Sequence, residues 1–290
     1  MKKIISYSFF EPKKIYHMRF WDKFNNTDRY WYNIPAMVIM NKLLYPDFDI
    51  VIHISSNIKN NPLYNLLLKL QENNLISMVE ITSDYNDTEP TLWRYKPLLN
   101  KECDLLLCRD IDSLPTVDEV RATKYFIESD YKVSTIRSHT NHTTSATIIL
   151  AGLCSFRPKE INFDYNNFDE LLSNVRGGWG LDQNFLINWI RKNPNWTSDN
   201  FLDSRLSSKE HKVGYPLIQC KAFDEKYYQE NVILDIDEKV ISFLSDSTSW
   251  AGEPIDCRKD KLERLINISE DFNYMRDILE SNQKIKDFFL

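Results

Sequence analysis

Two aspartates separated by one residue follow an apolar run in the first half of the chain. Asp110 and Asp112 come after Leu105–Leu107 in the sequence LLLCRDIDS. Along an extended backbone alternate side chains share a face, so both carboxylates are expected to point the same way past the end of a buried strand. Mg²⁺ and Mn²⁺ prefer hard oxygen ligands, often one or two carboxylates together with substrate phosphates. The pair therefore predicts a divalent cation that holds a diphosphate, with an ordinary turn or helix cap as the alternative.

Four sequence blocks occur in a fixed order around this pair. Residues 91–97 read TLWRYKP, residues 108–113 read CRDIDS, residues 150–153 read LAGL, and residues 180–183 read GLDQ. In order and spacing they resemble nucleotide-sugar glycosyltransferases with the GT-A fold. The similar group contains bacterial and large-virus hexosyltransferases with a W-R-[FY], R-D-x-D-S, G layout. Residues 1–190 carry the resemblance, and the last hundred residues add nothing to it.

The resemblance implies a metal-dependent glycosyltransferase that moves a hexose from a nucleoside diphosphate sugar to a hydroxyl of a glycan or similar acceptor. A UDP-sugar is the favoured donor, and Mn²⁺ or Mg²⁺ is the implied cofactor, held by Asp110 and Asp112. Members often add a histidine ligand from the C-terminal region, but no histidine here fits that role clearly. The alternative is therefore a non-catalytic nucleotide- or carbohydrate-binding module on a GT-A scaffold. The histidines of the chain are His17, His53, His139, His142 and His211.

A glycine-dense stretch precedes a second acidic candidate. Three of the six glycines lie in residues 177–180, GGWG, just before Asp182 and Gln183. Such a stretch is typical of a backbone that bends sharply or approaches a ligand, although it also suits a plain turn before a helix. The resemblance places Asp182 and Gln183 on the acceptor and donor-sugar side of the cleft. Asp182 would be the general base of an inverting enzyme or would bind sugar hydroxyls in a retaining one, and a helix N-cap is the alternative.

Three basic residues are further candidates for donor binding. The resemblance places Arg94 beside the nucleotide, where a guanidinium can grip phosphate through two parallel hydrogen bonds. Lys96 lies two residues further on. Both residues could instead be exposed charges on a short helix. Arg109 is expected to meet either the donor or a neighbouring carboxylate, the latter as a structural salt bridge.

Small and aromatic residues complete the donor-binding set. Tyr7 and Ser8 end the first predicted strand, where the resemblance places the nucleotide base. Tyr7 would stack on that base or else belong to the core. Gly152 would leave room for the donor sugar or else be an ordinary strand glycine.

Strand and helix patterns alternate along the chain. A helix is predicted to start at Asn33 or Ile34, with Pro35 in its first turn, and to end near Tyr45. The other predicted helices are 62–72, 117–129, 182–190 and 259–290, and the predicted strands are 4–9, 50–55, 76–81, 105–109, 132–136 and 147–154, with short strand-like segments in 218–244.

This alternation predicts an α/β fold with a mostly parallel central sheet and helices on both faces. The resemblance makes it a Rossmann-like sheet of the GT-A type with a helical C-terminal extension. Residues 1–250 are predicted to form the GT-A domain, and residues 251–290 a helical extension packed on the same domain. Ligands of such sheets gather at the carboxyl ends of the strands, where Asp110 and Asp112 are expected.

Composition limits the partners and the compartment. The chain has 290 residues, 42% hydrophobic and 27% charged, and a net charge of −6 with both signs mixed, which argues against a nucleic-acid partner. No apolar run is long enough to form a transmembrane segment. Five scattered cysteines without a Cys-x-x-Cys motif argue against a disulfide framework or zinc site. A cytoplasmic location is therefore expected.

Overall fold

The computed structural model describes most of the chain. The described residues are 1–11, 28–82, 89–99, 103–139, 142, 149–161, 170, 180–192, 199–206, 220–249, 251–253, 255, 257 and 260–289.

Eight strands of the described residues form one mixed sheet. They are β1 (Lys2–Phe9), β2 (Asp49–Ser55), β3 (Ser77–Ile81), β4 (Cys103–Arg109), β5 (Val133–Arg137), β6 (Leu153–Phe156), β7 (Phe201–Arg205) and β8 (Lys221–Asp224). The strand order is β3-β2-β1-β4-β6-β5-β7-β8. β6 is antiparallel to β4 and β5, whereas the other neighbouring pairs are parallel. All strands except β6 therefore end at one edge of the described sheet, called the carboxyl edge below.

Helices cover the sheet and form most of the C-terminal part. The α-helices are α1 (Asp28–Leu44), α2 (Tyr64–Glu72), α3 (Val117–Glu128), α4 (Leu181–Lys192), α5 (Glu225–Asn231), α6 (Glu238–Ser247), α7 (Asp260–Ile266), α8 (Asn273–Glu280) and α9 (Gln283–Phe289), and the 3-10 segments are Ser56–Asn60, Glu89–Leu99 and Glu270–Phe272. The predicted α/β class is confirmed: a mostly parallel sheet lies between helical layers, and the chain ends in helices. No helix in the described ranges is long and apolar enough to cross a membrane.

Both faces of the sheet are buried. Ile5 and Leu107 point to one face, where they share a core with α1, α2 and the C-terminal helices. Ile4 and Leu106 point to the other face, where they pack against the Glu89–Leu99 segment and α4. Burial on both sides explains why the central strands read as apolar runs and not as alternating patterns.

The helix α1 differs from its prediction at its start. It is already helical at Asp28, so Pro35 lies inside the helix and not in its first turn. Proline lacks the N–H that would bond to the carbonyl of residue 31, which weakens the helix at this point. Burial of Trp31, which is 1% exposed, offsets this loss because the side chain is removed from water.

The predicted strand over 147–154 is displaced. β6 begins only at Leu153, and residues 149–152 form a turn in which the Leu153 N–H donates to the Leu150 carbonyl at 3.1 Å. The Leu150 N–H donates to Thr135 Oγ1 at 3.0 Å, which holds the turn against the end of β5. The strand-like segments expected in 218–244 were also mostly wrong, because only β8 is extended and α5 and α6 are helical.

Candidate active site

The two aspartates after β4 lie in a tight turn. The N–H and the hydroxyl of Ser113 both donate to the Asp110 carbonyl oxygen, at 3.5 and 3.2 Å. The ladders of β4 with β1 and β6 end at Cys108 and Arg109, so these two strands do not keep the backbone extended beyond them. The alternation that was expected to align the two carboxylates therefore does not apply. The Asp110 side chain is 41% exposed, whereas Asp112 is 9% exposed.

Arg94 joins carboxylates from two different elements. Its Nη1 donates to Asp110 Oδ1, and its Nη2 lies 3.6 Å from Asp182 Oδ2. Burial disfavours the charged guanidinium, but Asp110 and Asp182 outweigh this effect and raise the pKa of Arg94 above its usual range. The group thus contains two carboxylates and one guanidinium.

The 3-10 segment Glu89–Leu99 fixes the position of Arg94. The Arg94 N–H donates to Ser8 Oγ at 3.0 Å, which ties the segment to the end of β1. Arg94 Nε donates to the Thr91 carbonyl at 3.0 Å. The neighbouring ring of Tyr95 is fully buried, and its hydroxyl donates to the Ala151 carbonyl at 3.1 Å. Arg94 is therefore held by packing on both sides and needs no ligand to take up this position.

Gly152 provides the space in which the Asp110 carboxylate lies. A Cβ built on Gly152 would overlap the carboxyl atoms of Asp110. The sequence left open whether this glycine makes room for a sugar. In the structure it makes room for a predicted ligand-binding carboxylate.

Gln183 supports the turn that carries Gly152. In the amide orientation that satisfies both polar atoms, its nitrogen donates to the Ile149 carbonyl at 2.6 Å and its oxygen accepts from the Ala151 N–H at 2.8 Å. Gln183 therefore acts through the backbone of residues 149–151, and a direct contact with the donor sugar remains a prediction.

Asp182 lies in the first turn of α4, where the helix dipole favours negative charge. Its side chain is 16% exposed, and its Oδ1 accepts from the Gln183 N–H at 2.9 Å. Burial raises the pKa of the Asp182 carboxyl, while Arg94 opposes the rise. Gly180 precedes the helix with a φ of +73°, which suits glycine. Residues 177–179 of the predicted glycine turn lie outside the described residues.

Tyr7 and Arg109 point away from this group, to the opposite face of the sheet. Tyr7 is 3% exposed and its hydroxyl accepts from Asn41 Nδ2 at 2.7 Å, so it is the core tyrosine that the sequence allowed as an alternative. Arg109 lies 3.3 Å from Glu119, Nε to Oε1, and donates to Thr123 Oγ1 at 3.1 Å. Arg109 therefore forms the structural salt bridge, and its assignment to the donor does not fit this orientation.

Ser8 and Lys96 lie on the same face as Arg94. Ser8 Oγ already accepts the backbone N–H of Arg94. Lys96 is half-buried and close enough to His53 to lower its pKa. Burial is the larger cause, and burial and Lys96 together lower the pKa of His53 to about 4. His53 is 3% exposed.

Asp110 and Asp112 are the residues that would hold a cation at this turn, together with ligands from a substrate. Their carboxylate oxygens are hard ligands of the kind that Mg²⁺ and Mn²⁺ prefer. In the described part of the chain, no three or more His, Cys, Asp and Glu side chains come together as a complete protein cage. His139 and His142 are half-buried after β5, with ring centroids 5.6 Å apart, and His211 lies outside the described residues.

Asn33, which no sequence pattern marked as part of the site, also contacts the turn after β4. Asn33 of α1 is fully buried and its Nδ2 donates to the Asp112 carbonyl at 3.0 Å. The two residues are 79 positions apart, so no local pattern indicated the contact. The five cysteines all lie among the described residues, and no disulfide joins them there.

Comparison with known proteins gave matches in structure only. No family model matches the sequence, and no curated protein matches it. A crystal structure described as a candidate nucleotide-diphospho-sugar transferase from Desulfovibrio desulfuricans superposes with a TM-score of 0.41 at 12% identity, covering 95% of this chain and 98% of the other. Residues 1–349 of S. aureus TarS superpose with a TM-score of 0.40 at 10% identity, covering 99% and 77%. At these scores the two likenesses show nothing about activity.

Proposed function

We propose that the protein is a metal-dependent glycosyltransferase that moves a hexose from a nucleoside diphosphate sugar, with UDP-sugar favoured, to a hydroxyl of a glycan or similar acceptor. The observation that carries this proposal is the sharing of Arg94 between Asp110 and Asp182 at the carboxyl edge. Two carboxylates and one guanidinium leave one negative charge uncompensated within the group. Asp112 adds a second carboxylate to the same turn as Asp110, which makes the turn suitable for a divalent cation.

The location supports a ligand site. In open α/β sheets ligands bind outside the carboxyl ends of the strands. Asp110 follows the end of β4, Arg94 is tied to the end of β1, and Asp182 lies in the first turn of α4. The Asp110 side chain is 41% exposed, so a donor can reach it.

Each residue has a distinct role in the proposed reaction. Asp110 and Asp112 would hold Mn²⁺ or Mg²⁺, which when bound neutralises charge on the departing nucleoside diphosphate. Arg94 holds Asp110 and Asp182 in fixed positions, and it would contact a donor phosphate once the cation has neutralised Asp110. Ser8, Gly152 and Gln183 fix the backbone and the space that these groups need.

Asp182 has two possible roles that differ in stereochemistry. In an inverting reaction its carboxylate takes the proton from the acceptor hydroxyl as that oxygen attacks the anomeric carbon. In a retaining reaction it binds hydroxyls of the donor sugar. Its raised pKa suits proton transfer, because a base with a pKa nearer neutrality accepts a proton more readily.

A thermal-shift panel tests the proposal. The protein is heated with UDP, GDP, CDP or dTDP, each with and without Mn²⁺, because a ligand of the native state raises Tm. We expect a Mn²⁺-dependent shift with one nucleotide, its loss in Asp112→Ala, and its retention in Asp104→Ala. Asp104 is the matched control because it lies near the start of the same strand, in an exposed pair with Lys159. A shift that survives in Asp112→Ala would contradict the metal assignment.

A non-catalytic binding module is the second candidate. It is kept because a site that holds a cation and a nucleotide through Asp110 and Asp112 need not catalyse transfer. Incubation with UDP-glucose, UDP-galactose or UDP-N-acetylglucosamine and Mn²⁺, without acceptor, separates the two candidates. Slow release of UDP that disappears in Asp112→Ala would favour the enzyme. Binding without release or transfer would favour the module.

A further inference from the structure

Asn33 uses its whole side-chain amide to join two distant parts of the chain. Its Nδ2 donates to the Asp112 carbonyl at 3.0 Å and to the Ile255 carbonyl at 2.6 Å. Its Oδ1 accepts from the Cys257 N–H at 3.1 Å. The residue is fully buried in α1, where each of these polar groups needs a partner. These three hydrogen bonds of Asn33 all go to backbone groups. One is in the turn after β4, and the other two belong to Ile255 and Cys257.

The second partner is an edge segment, defined here as residues 251–253, 255 and 257. The Ile255 N–H donates to the Asp112 carbonyl at 2.9 Å, so this carbonyl accepts two hydrogen bonds. At its other end the segment is fixed by Ser138, whose Oγ accepts the Ala251 N–H at 2.6 Å. Ala251 and Cys257 are fully buried. The edge segment therefore connects the end of β5 with the Asp112 turn.

We propose that Asn33 is a positioning residue for Asp112, and that the edge segment completes the support of the cation-binding turn. The inference rests on the proposed function, because it takes Asp112 as a ligand of the divalent cation. The turn leaves the sheet at Arg109, so the ladder no longer holds Asp112 in place. The hydrogen bonds from Asn33 and Ile255 fix its peptide group instead, and with it the Cα atom that carries the carboxylate.

Binding of the cation and docking of the edge segment are therefore linked. Supporting partners of a metal ligand commonly change metal affinity 10- to 100-fold when removed, because they fix the ligand's orientation. Linkage is reciprocal, so a cation and nucleotide at the turn should also stabilise the edge segment. The buried thiol of Cys257 reports on that docking, because the segment must leave α1 before a reagent reaches the sulfur.

Metal affinity in matched asparagine variants provides the test. Mn²⁺ is titrated into the full chain with UDP, and in parallel with GDP, while free Mn²⁺ is followed by electron paramagnetic resonance. We expect Asn33→Ala to raise the Kd for Mn²⁺ by about 10- to 100-fold. Asn41→Ala is the control, because Asn41 lies in the same helix and is also buried but bonds to the Tyr7 hydroxyl. The Kd of Asn41→Ala for Mn²⁺ should stay within about twofold of the parent value, because Asn41 makes no hydrogen bond to the Asp112 turn in the described residues.

Alkylation of Cys257 by iodoacetamide is the second readout, followed by mass spectrometry. Asn33→Ala should speed the labelling of Cys257 relative to Cys103, which is equally buried at the start of β4. Mn²⁺ with UDP or GDP should slow the labelling in the parent protein. If Asn33→Ala does not fold, Asn33→Ser, which keeps one small polar group, takes its place in both measurements.

The outcomes separate this inference from the proposed function. If the parent binds Mn²⁺, Asp112→Ala does not, and Asn33→Ala binds as the parent does, the positioning role is wrong and the metal site stands. If the parent and Asp112→Ala bind Mn²⁺ equally, or neither binds, the metal assignment is wrong and the inference falls with it. If Asn33→Ala and Asn41→Ala weaken Mn²⁺ binding equally, the cause is a general destabilisation of α1, and the inference is wrong.

Discussion

The carboxylate of Asp110 lies in the space that a side chain on Gly152 would occupy. Gly152 belongs to the turn before β6 and Asp110 follows β4, so the close approach joins two neighbouring strands at the carboxyl edge. Asp110 also accepts a hydrogen bond from Arg94. The position of the carboxylate is thus set by a guanidinium on one side and by a missing side chain on the other.

Gly152→Ala should displace Asp110 and lower transferase activity. The added methyl group overlaps carboxyl atoms, so the Asp110 side chain must leave its place beside Arg94. We expect kcat/KM to fall at least tenfold, about 1.4 kcal/mol of transition-state stabilisation. The measurement is UDP release in Gly152→Ala, Asp110→Ala and the double variant. A double variant clearly worse than Asp110→Ala would mean that Gly152 acts through another group.

Asp182→Asn should separate nucleotide binding from chemistry. If Asp182 is the base, kcat should fall by about 10²- to 10⁴-fold while the Kd for UDP with Mn²⁺ changes little. Because burial raises the pKa of this carboxyl, the parent rate should fall with decreasing pH as the group becomes protonated at a pH above the usual aspartate range. A higher KM for the UDP-sugar with an unchanged kcat would instead assign Asp182 to binding of sugar hydroxyls.

Arg94→Gln should move the acidic limb of the pH–rate profile. Arg94 lowers the pKa of Asp182 against the effect of burial, so its removal should raise that pKa and shift the limb to higher pH. Arg109→Gln is the control, since it also removes a buried guanidinium but on the opposite face beside Glu119. Arg109→Gln should lower the free energy of unfolding measured in urea but leave the acidic limb of the pH–rate profile at the same pH. Identical profiles for Arg94→Gln and the parent would show that Arg94 does not control the titration.

His53 should make the protein acid-sensitive. Burial lowers the pKa of His53 from 6.5 to about 4, so the folded state favours the neutral imidazole. Above pH 6.5 the imidazole is neutral in both states, and the free energy of unfolding is not reduced through His53. As the pH falls from 6.5 towards 4, the unfolded state binds a proton that the folded state does not, and the free energy of unfolding decreases. A shift of this size corresponds to about 3 kcal/mol. Urea unfolding from pH 7 to 4 measures it, and His53→Gln should flatten that part of the profile. An equally steep decline in His53→Gln would assign the effect to other groups.

Asp203→Asn should be strongly destabilising. The fully buried carboxylate of Asp203 lies 2.7 Å from Arg137 Nε and 3.3 Å from Arg205 Nη2. Loss of its charge leaves two guanidiniums that are 5% and 13% exposed without this partner. We expect a loss of about 3–5 kcal/mol in urea unfolding. Asp104→Asn, at an exposed pair with Lys159, should change stability much less, and similar losses in both variants would contradict this account.

The sequence identified the important strands but not the faces of their residues. The helix predicted over 62–72 is α2, in which Leu66, Leu67 and Leu70 are buried. Tyr7 and Arg109 were assigned to the donor, yet they point to the opposite face. A strand that is buried on both sides has no polar–apolar alternation to indicate which side carries a ligand. The sequence therefore indicated the edge of the sheet that the candidate residues follow, but not the face that each side chain occupies.

Long-range contacts were the second source of error. The contact of Asn33 with Ile255 spans 222 positions, and nothing in the local sequence of either residue indicates it. The turn at 149–152 was read as part of a strand because its residues are apolar. Its geometry depends on Thr135 and Gln183, which come from two other elements. Such features follow from packing, which a single sequence does not encode locally.

The reversed direction of β6 carries the chain away from the candidate site. β6 starts at Leu153, beside the last residue of β4, and ends at Phe156, beside Val133 at the start of β5. Arg157 then donates to the carbonyls of Tyr131 and Ser129, at 3.0 and 2.6 Å, and anchors the chain there. Lys159 and Glu160 come after that anchor and are exposed. Insertion of a reporter between them should therefore leave the proposed nucleotide binding intact, whereas insertion at 149–152, where Gly152 adjoins the Asp110 carboxylate, should abolish it.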